Sequence, residues 1–95
     1  MASITAIILT RNEKDFIEDC IRSIQKITER IVVVDSFSED NTVELAKNMG
    51  AEVYQHEFFN YSKQYKYAVE IANVKTKWIL RIDADERLTS ESAVE

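Results

Sequence analysis

Three carboxylates crowd into the stretch Arg81-Ile-Asp-Ala-Asp-Glu-Arg-Leu-Thr89: Asp83, Asp85 and Glu86. Like charges at that spacing repel, so a folded chain either brings a cation to them or leaves them in water. In extended backbone, residues two apart point to the same side, which sets Asp83 and Asp85 together and Ala84 opposite. Two hard oxygen ligands suit Mg²⁺ or Mn²⁺, ions that typically take one or two carboxylates and complete their shell with water and substrate phosphates. The plainer alternative is a solvated acidic turn in which an aspartate caps the next helix.

Other groups with chemistry recur at similar places. Thr10-Arg-Asn-Glu13 follows the apolar run Ile4–Leu9, and Asp35 follows Ile31-Val-Val-Val34. Arg11 suits an anion or a pair with Glu13, while Glu13 alone could be an acid complementing a helix start. Lys63 and Gln64 fall in a helical first turn, where backbone amides help to hold a phosphate. His56 reads as a surface histidine at a strand end. Phe58, Phe59, Tyr61, Tyr65 and Tyr67 read as core and helix packing, and Cys20 as a small buried hydrophobe.

These groups need elements to position them. Ser3–Thr10, Arg30–Val34, Glu52–Gln55 and Trp78–Ile82 read as strands, the first two nearly continuous in apolar residues, as expected when both faces are covered. Phe16, Ile17, Cys20, Ile21, Ile24 and Ile27 keep helical spacing. Leu45, Ala46 and Met49 form a second stripe, with Asn41 and Glu44 as a capping box, or Ser38 or Asp40 as the cap. Gly50 stands where a helix C-terminus needs it. Tyr61, Gln64, Tyr65, Ala68 and Ala72 give a third helix.

The order β-α-β-α-β-α-β predicts an α/β fold, a Rossmann-like, mainly parallel sheet with helices on both faces. In such sheets ligands bind outside the carboxyl ends of the strands, where all of the polar groups above fall.

Composition narrows the field. The 95 residues fit one small domain, 45% apolar and 31% charged. The net charge of −5 and the absence of a basic stripe argue against nucleic acid as partner. An anionic ligand on so acidic a chain would call for a metal. No apolar run approaches the ~20 residues that span a bilayer, and the opening MASITAIILTRNE has no secretory pattern. One cysteine precludes an internal disulfide and fits a reducing cytoplasm. Neither G-x-G-x-x-G nor G-x-x-x-x-G-K occurs, nor a Cys/His cluster for zinc. Leu88–Glu95 reads as the opening turns of another helix, as if the chain were cut.

Ile8-Leu-Thr-Arg-Asn-Glu13, Val33-Val-Asp-Ser-Phe-Ser-Glu-Asp-Asn-Thr42 and Trp78-Ile-Leu-Arg-Ile-Asp-Ala-Asp-Glu86, in that order and spacing, resemble glycosyltransferase family 2 enzymes of the GT-A fold. The similarity runs closest to bacterial lipopolysaccharide-core transferases of β-glucosyl type. The resemblance implies a nucleoside-diphosphate sugar as donor, a UDP-sugar foremost, and a divalent cation, Mn²⁺ or Mg²⁺. It implies that Thr10, Asn12 and Glu13 line the nucleoside pocket and that Asp35 bonds the base. Asp83 would reach the ribose or the metal's water, Ala84 would lie between, and Asp85 would ligate the metal. Where the family continues Gln-Arg-Asn, this chain has Gln64-Tyr-Lys66, making Lys63 or Lys66 the substitute cation.

The resemblance further implies an inverting transfer to a saccharide or lipid-linked acceptor in cell-envelope synthesis, at the cytoplasmic face of the membrane. Its acceptor site and catalytic base would lie outside residues 1–95, leaving this chain as the nucleotide-sugar-binding part, with apolar surface free for self-association. Rival readings of the same residues are a non-catalytic metal- or partner-binding module and a nucleotidyltransferase-like enzyme.

Overall fold

Strands and helices alternate along the chain in the computed structural model, which describes residues 3–83. They run β1 (Ile4–Thr10), α1 (Ile17–Ile24), β2 (Arg30–Asp35), α2 (Thr42–Asn48), β3 (Glu52–Gln55), α3 (Tyr61–Ile71) and β4 (Trp78–Asp83). All pairings are parallel, in the order β3-β2-β1-β4.

Side-chain alternation along the strands divides the core into two layers. Ala6, Ile8 and Val33 face Ile17, Cys20, Ile21 and Ile24 of α1 and Ala46 of α2. Ile7, Leu9, Val32 and Val34 face the other way, onto Ala68 and Ala72 beside α3. Both faces of β1 and β2 are thus buried, the physical reason for their unbroken apolar runs. The expected α/β sheet with helices on both faces is what the chain forms.

The chain moves outward from β1 through β2 to β3, then α3 carries it back across to β4 on the far side of β1. With right-handed crossovers, that reversal places α3 on the face opposite α1 and α2. The switch point lies between β1 and β4. There the register sets Leu9 beside Asp83, while Thr10 faces Asp35 and Asp35 faces Gln55.

Local departures from the sequence expectations have local causes. Helix α1 ends at Ile24 because Thr28 Oγ1 donates to the Ile24 carbonyl at 2.9 Å, leaving Ile27 in the turn beyond. Phe16 precedes α1 and is 41% exposed, off the apolar stripe. Asn41 makes no side-chain cap to α2. Asp40 Oδ1 instead accepts the Thr42 N–H at 3.0 Å, so the cap moves one residue back, to one of the alternatives.

The C-terminus of α2 follows expectation. Gly50 has φ +88°, its N–H donates to Lys47 O, and Ala51 N–H donates to Ala46 O, the two bonds of a Schellman motif. Phe58, Phe59 and Tyr61 depart furthest, at 44%, 63% and 61% exposure rather than in the core. Tyr65 and Tyr67 do pack against the α3 layer.

At the opposite edge of the sheet, Arg30 forks onto Glu52, with Nε to Oε2 at 2.8 Å and Nη2 to Oε1 at 2.7 Å. Its Nη2 also reaches Ala72 O at 2.7 Å. The hydrogen bond from Arg30 holds the Glu52 carboxyl below its ordinary range despite the opposing loss of water. The pair's contribution is therefore complete above about pH 4.5 and fades as pH falls through the depressed value, when Glu52 protonates. Both partners are partly exposed, so the effect stays below about 1 kcal/mol. Urea midpoints of the native chain should fall faster between pH 5 and 3 than those of Glu52→Gln, and parallel slopes would count against the pair.

Candidate functional site

The carboxyl edge of the sheet gathers its polar groups around Asp35. This residue has no exposed surface. Its Oδ1 accepts from Thr10 Oγ1 at 2.6 Å and from Ser38 Oγ at 2.5 Å. Its Oδ2 accepts from Ser38 N–H at 2.7 Å and, more weakly, from Gln55 Nε2 at 3.4 Å. One carboxylate thereby ties the ends of β1, β2 and β3 to the loop that opens α2. A buried acid needs such partners to offset its lost hydration.

The loops before α1 and α2 are laced together across this knot. Asn12, with φ +54°, donates its N–H to Ser38 Oγ at 2.7 Å, and its Oδ1 accepts the Glu39 N–H at 2.7 Å. Glu13 N–H donates to Thr42 Oγ1 at 2.9 Å, and Lys14 N–H reaches Asp40 Oδ2 at 3.3 Å. Arg11 Nη1 donates to Ser36 O at 3.0 Å. Loss of water pushes the Asp40 carboxyl up, but the hydroxyl and N–H of Thr42, with the Lys14 N–H and charge, outweigh it. Its pKa therefore lies below the ordinary value.

Thr10, Arg11, Asn12 and Glu13 thus come together with Asp35, as expected. Asp35 has no exposed surface, and both of its oxygens accept hydrogen bonds inside the protein, tying the strand ends together. Gln64 is 1% exposed and similarly engaged. Its Nε2 donates to Ser36 Oγ at 3.2 Å and to His56 O at 3.1 Å, and its Oε1 lies 2.9 Å from His56 Nδ1.

Lys63 is exposed in the first turn of α3, with its ammonium 5.6 Å from the Phe59 ring centroid. The Asn60 side chain caps that turn by accepting the Lys63 N–H at 2.8 Å. The Asp83 backbone ends β4 beside Leu9. Ala84 and Asp85 lie outside the described residues. Among those described, no group of three or more His, Cys, Asp or Glu side chains could hold a metal ion.

Sequence reading missed several contributors. Ser38, Asp40 and Thr42 carry a local signal, since Ser, Thr and Asp dense before a helix are hydrogen-bonders to backbone. Gln55 and His56 carry none, because only strand pairing brings them to Asp35. His56 is not a free surface histidine: its ring stacks on Tyr67 with centroids 3.8 Å apart.

Phe37 was also invisible. It has φ +55° and 54% exposure, an uncommon backbone for a bulky residue. Asn tolerates that conformation through its short polar side chain. Phe37→Asn should therefore raise stability by about 0.5–1 kcal/mol. A lower melting midpoint would show that the exposed ring makes a contact of greater worth.

A model of the family described as "Glycosyl transferase family 2" matches residues 5–95. An uncharacterized glycosyltransferase of Rickettsia bellii is 43% identical over 88 residues, covering 93% of this chain and 29% of that protein. The mannosyl-3-phosphoglycerate synthase of Rubrobacter xylanophilus superposes with a TM-score of 0.78 at 26% identity, over 93% of this chain and 32% of that one. The glucosyl-3-phosphoglycerate synthase of Mycobacterium tuberculosis, in complex with Mn²⁺, UDP and glucosyl-3-phosphoglycerate, has a TM-score of 0.70 at 21% identity. That match covers 90% of this chain and 35% of the synthase, and it shows a shared fold. The chain spans about a third or less of the length of the relatives it matches.

Proposed function

Because this chain belongs to glycosyl transferase family 2, we propose that the carboxyl edge of its sheet holds a nucleoside-diphosphate sugar, which the full-length protein transfers to an acceptor. One observation carries the reading. The Thr10–Asp35 knot and the end of β4 stand side by side, one register step apart, at the switch point where parallel sheets bind ligands.

The roles of the residues follow from their places. Thr10, Asn12 and Asp35 keep the floor of the nucleoside side rigid, and Glu13 borders it. Arg11 and Lys63 are cations at this edge for the diphosphate, and the buried Gln64 braces the start of α3 beside them. Asp83, with Ala84 and Asp85 beyond it, would supply two hard oxygen ligands. That donor set fits Mg²⁺ or Mn²⁺ held partly by the ligand's phosphates. Such a cation, when bound, would offset the charge developing on the departing diphosphate. The residues of this chain bind and orient the donor and exclude water from it.

UDP is the nucleotide we favour, since a solved protein of the same fold binds UDP with Mn²⁺. The acceptor is a saccharide or lipid-linked saccharide of the cell envelope, of the lipopolysaccharide-core kind, reached with inversion at the inner face of the membrane. Residues 1–95 are then the donor-binding part, with acceptor site and base elsewhere in the full-length protein. No described helix is long and apolar enough to cross a membrane. Ile71, Trp78 and Ile79, exposed by 47%, 60% and 39%, favour self-association.

Calorimetric titration of UDP into the chain tests the reading. Binding should require Mn²⁺ and weaken at least about tenfold, 1.4 kcal/mol, in the Asp83→Ala/Asp85→Ala double variant. Binding indifferent to both metal and the two aspartates would place the ligand elsewhere.

A further inference from the structure

Residues 58–82 differ from the chain before them in charge and in what they leave uncovered. They carry five basic side chains, Lys63, Lys66, Lys75, Lys77 and Arg81, against one acid, Glu70. Residues 1–57 hold eleven acidic side chains against six basic ones. Six of the eight large apolar side chains exposed among the described residues also fall between Phe58 and Ile79. An acidic chain thus has one segment that is basic and apolar together.

The exposed groups of this segment gather at the two ends of α3. At the amino edge of the sheet, Trp78 opens β4 with the Lys77 ammonium 6.0 Å from its ring centroid. At the carboxyl edge, the passage from β3 into α3 presents Phe58, Phe59 and Tyr61. Phe58 and Tyr61 meet edge to face with centroids 5.2 Å apart, and Lys63 lies beside Phe59. Lys66 follows three residues on, on the same exposed face of the helix as Lys63. The Asn60 cap fixes the start of α3, so a formed helix end carries the three rings.

Rings of this exposure, grouped and rimmed by lysines, mark a contact surface. Aromatic side chains settle at the headgroup level of a bilayer, while lysine stems lie along apolar surface and their ammonium groups reach anionic phosphates. Charge selects the partner. Within the stretch 57–66 the one acid is Glu57, against Lys63 and Lys66. An anionic bilayer attracts this end and repels the acidic remainder, which sets the orientation as well as the contact.

We propose that Phe58, Phe59 and Tyr61, with Lys63 and Lys66, form a seating surface for an anionic lipid bilayer. Seated there, the carboxyl edge of the sheet lies toward the membrane, within reach of an acceptor whose anchor stays in the lipid. The inference rests on the membrane-face reading above and gives it a surface, but the contact itself needs neither nucleotide nor metal.

Cosedimentation of the native chain with phosphatidylcholine vesicles, with and without phosphatidylglycerol, tests the proposal. Binding should require the anionic lipid and fall at least about tenfold when salt is raised to about 0.5 M. Phe59→Ser/Lys66→Glu should weaken it at least about tenfold. Both side chains are exposed, so the urea midpoint should stay that of the native chain. Trp78→Ser/Lys77→Glu is the matched control at the opposite edge: it removes a comparably exposed ring, reverses the same charge, and should stay within about threefold.

Equal losses in the two double variants would overturn the proposal, because overall charge and apolarity, and not this surface, would then carry the binding. A native chain indifferent to anionic vesicles would overturn it too. Vesicle binding that persists in a chain unable to bind UDP would leave this surface standing and remove the donor site, and the converse would remove this surface alone.

Discussion

Asp35→Ala is expected to cost about 3–4 kcal/mol of folding stability, read as a shift in urea midpoint at unchanged slope. The mutation removes the one acceptor shared by the Thr10 hydroxyl, the Ser38 hydroxyl and N–H, and the Gln55 amide. Thr10 is 4% exposed, so its hydroxyl cannot turn to water in exchange. Each buried polar group left without a partner costs about 1–3 kcal/mol, and several would lose theirs together. For a chain this size, total stability is on the order of 5–14 kcal/mol, so the loss is a large share.

Asp35→Asn should behave differently. Its amide oxygen can accept from the Ser38 N–H and Gln55, while its NH₂ donates to the two hydroxyls, which can reverse their roles. Retention to within about 1 kcal/mol of the native chain is expected. Equal losses for the two variants would show that charge, not the bonding pattern, holds the strand ends together.

Gln64→Ala is the second large effect, at about 3 kcal/mol. It opens a void where the side chain is 1% exposed and strips partners from Ser36 Oγ, His56 O and His56 Nδ1. The substitution also removes the Gln64 partner of His56 Nδ1, so a shift of the His56 ring resonances should accompany the lower midpoint. Gln55→Ala is the matched control. Gln55 is exposed and its bond to Asp35 is long, so its removal should stay within about 0.5 kcal/mol. A Gln64→Ala variant as stable as that control would mean that the amide is not the strut its contacts suggest.

Much of this architecture was open to reading before any coordinates. The unbroken apolar runs of β1 and β2, the helical stripe of Ile17, Cys20, Ile21 and Ile24, and the cap at Gly50 are short-range patterns written in side-chain size and polarity. Boundaries were less legible. Thr28 stops α1 and Asp40 starts α2 through single side-chain bonds that compete with equally plausible neighbours. Phe58, Phe59 and Tyr61 misled because hydrophobicity records what can be buried, and the short loop between β3 and α3, with the first residue of α3, has no core to offer them.

The site divides along the same line. Sequence alone determined that polar groups cluster at strand carboxyl ends, because the end of each apolar run marks where a strand stops and parallel order puts those ends on one edge. Which of those groups hold one another was decided only by the tertiary structure. The register Thr10–Asp35–Gln55 and the return of α3 over the sheet bring together residues 20 to 28 positions apart and tie Asp35 and Gln64 into one hydrogen-bonded edge. The same closure stacks His56, unremarkable in the sequence, on Tyr67 at the edge of the site. Long-range pairing carries that information because a side chain's hydrogen-bonding capacity is local, while its partner is chosen by the fold.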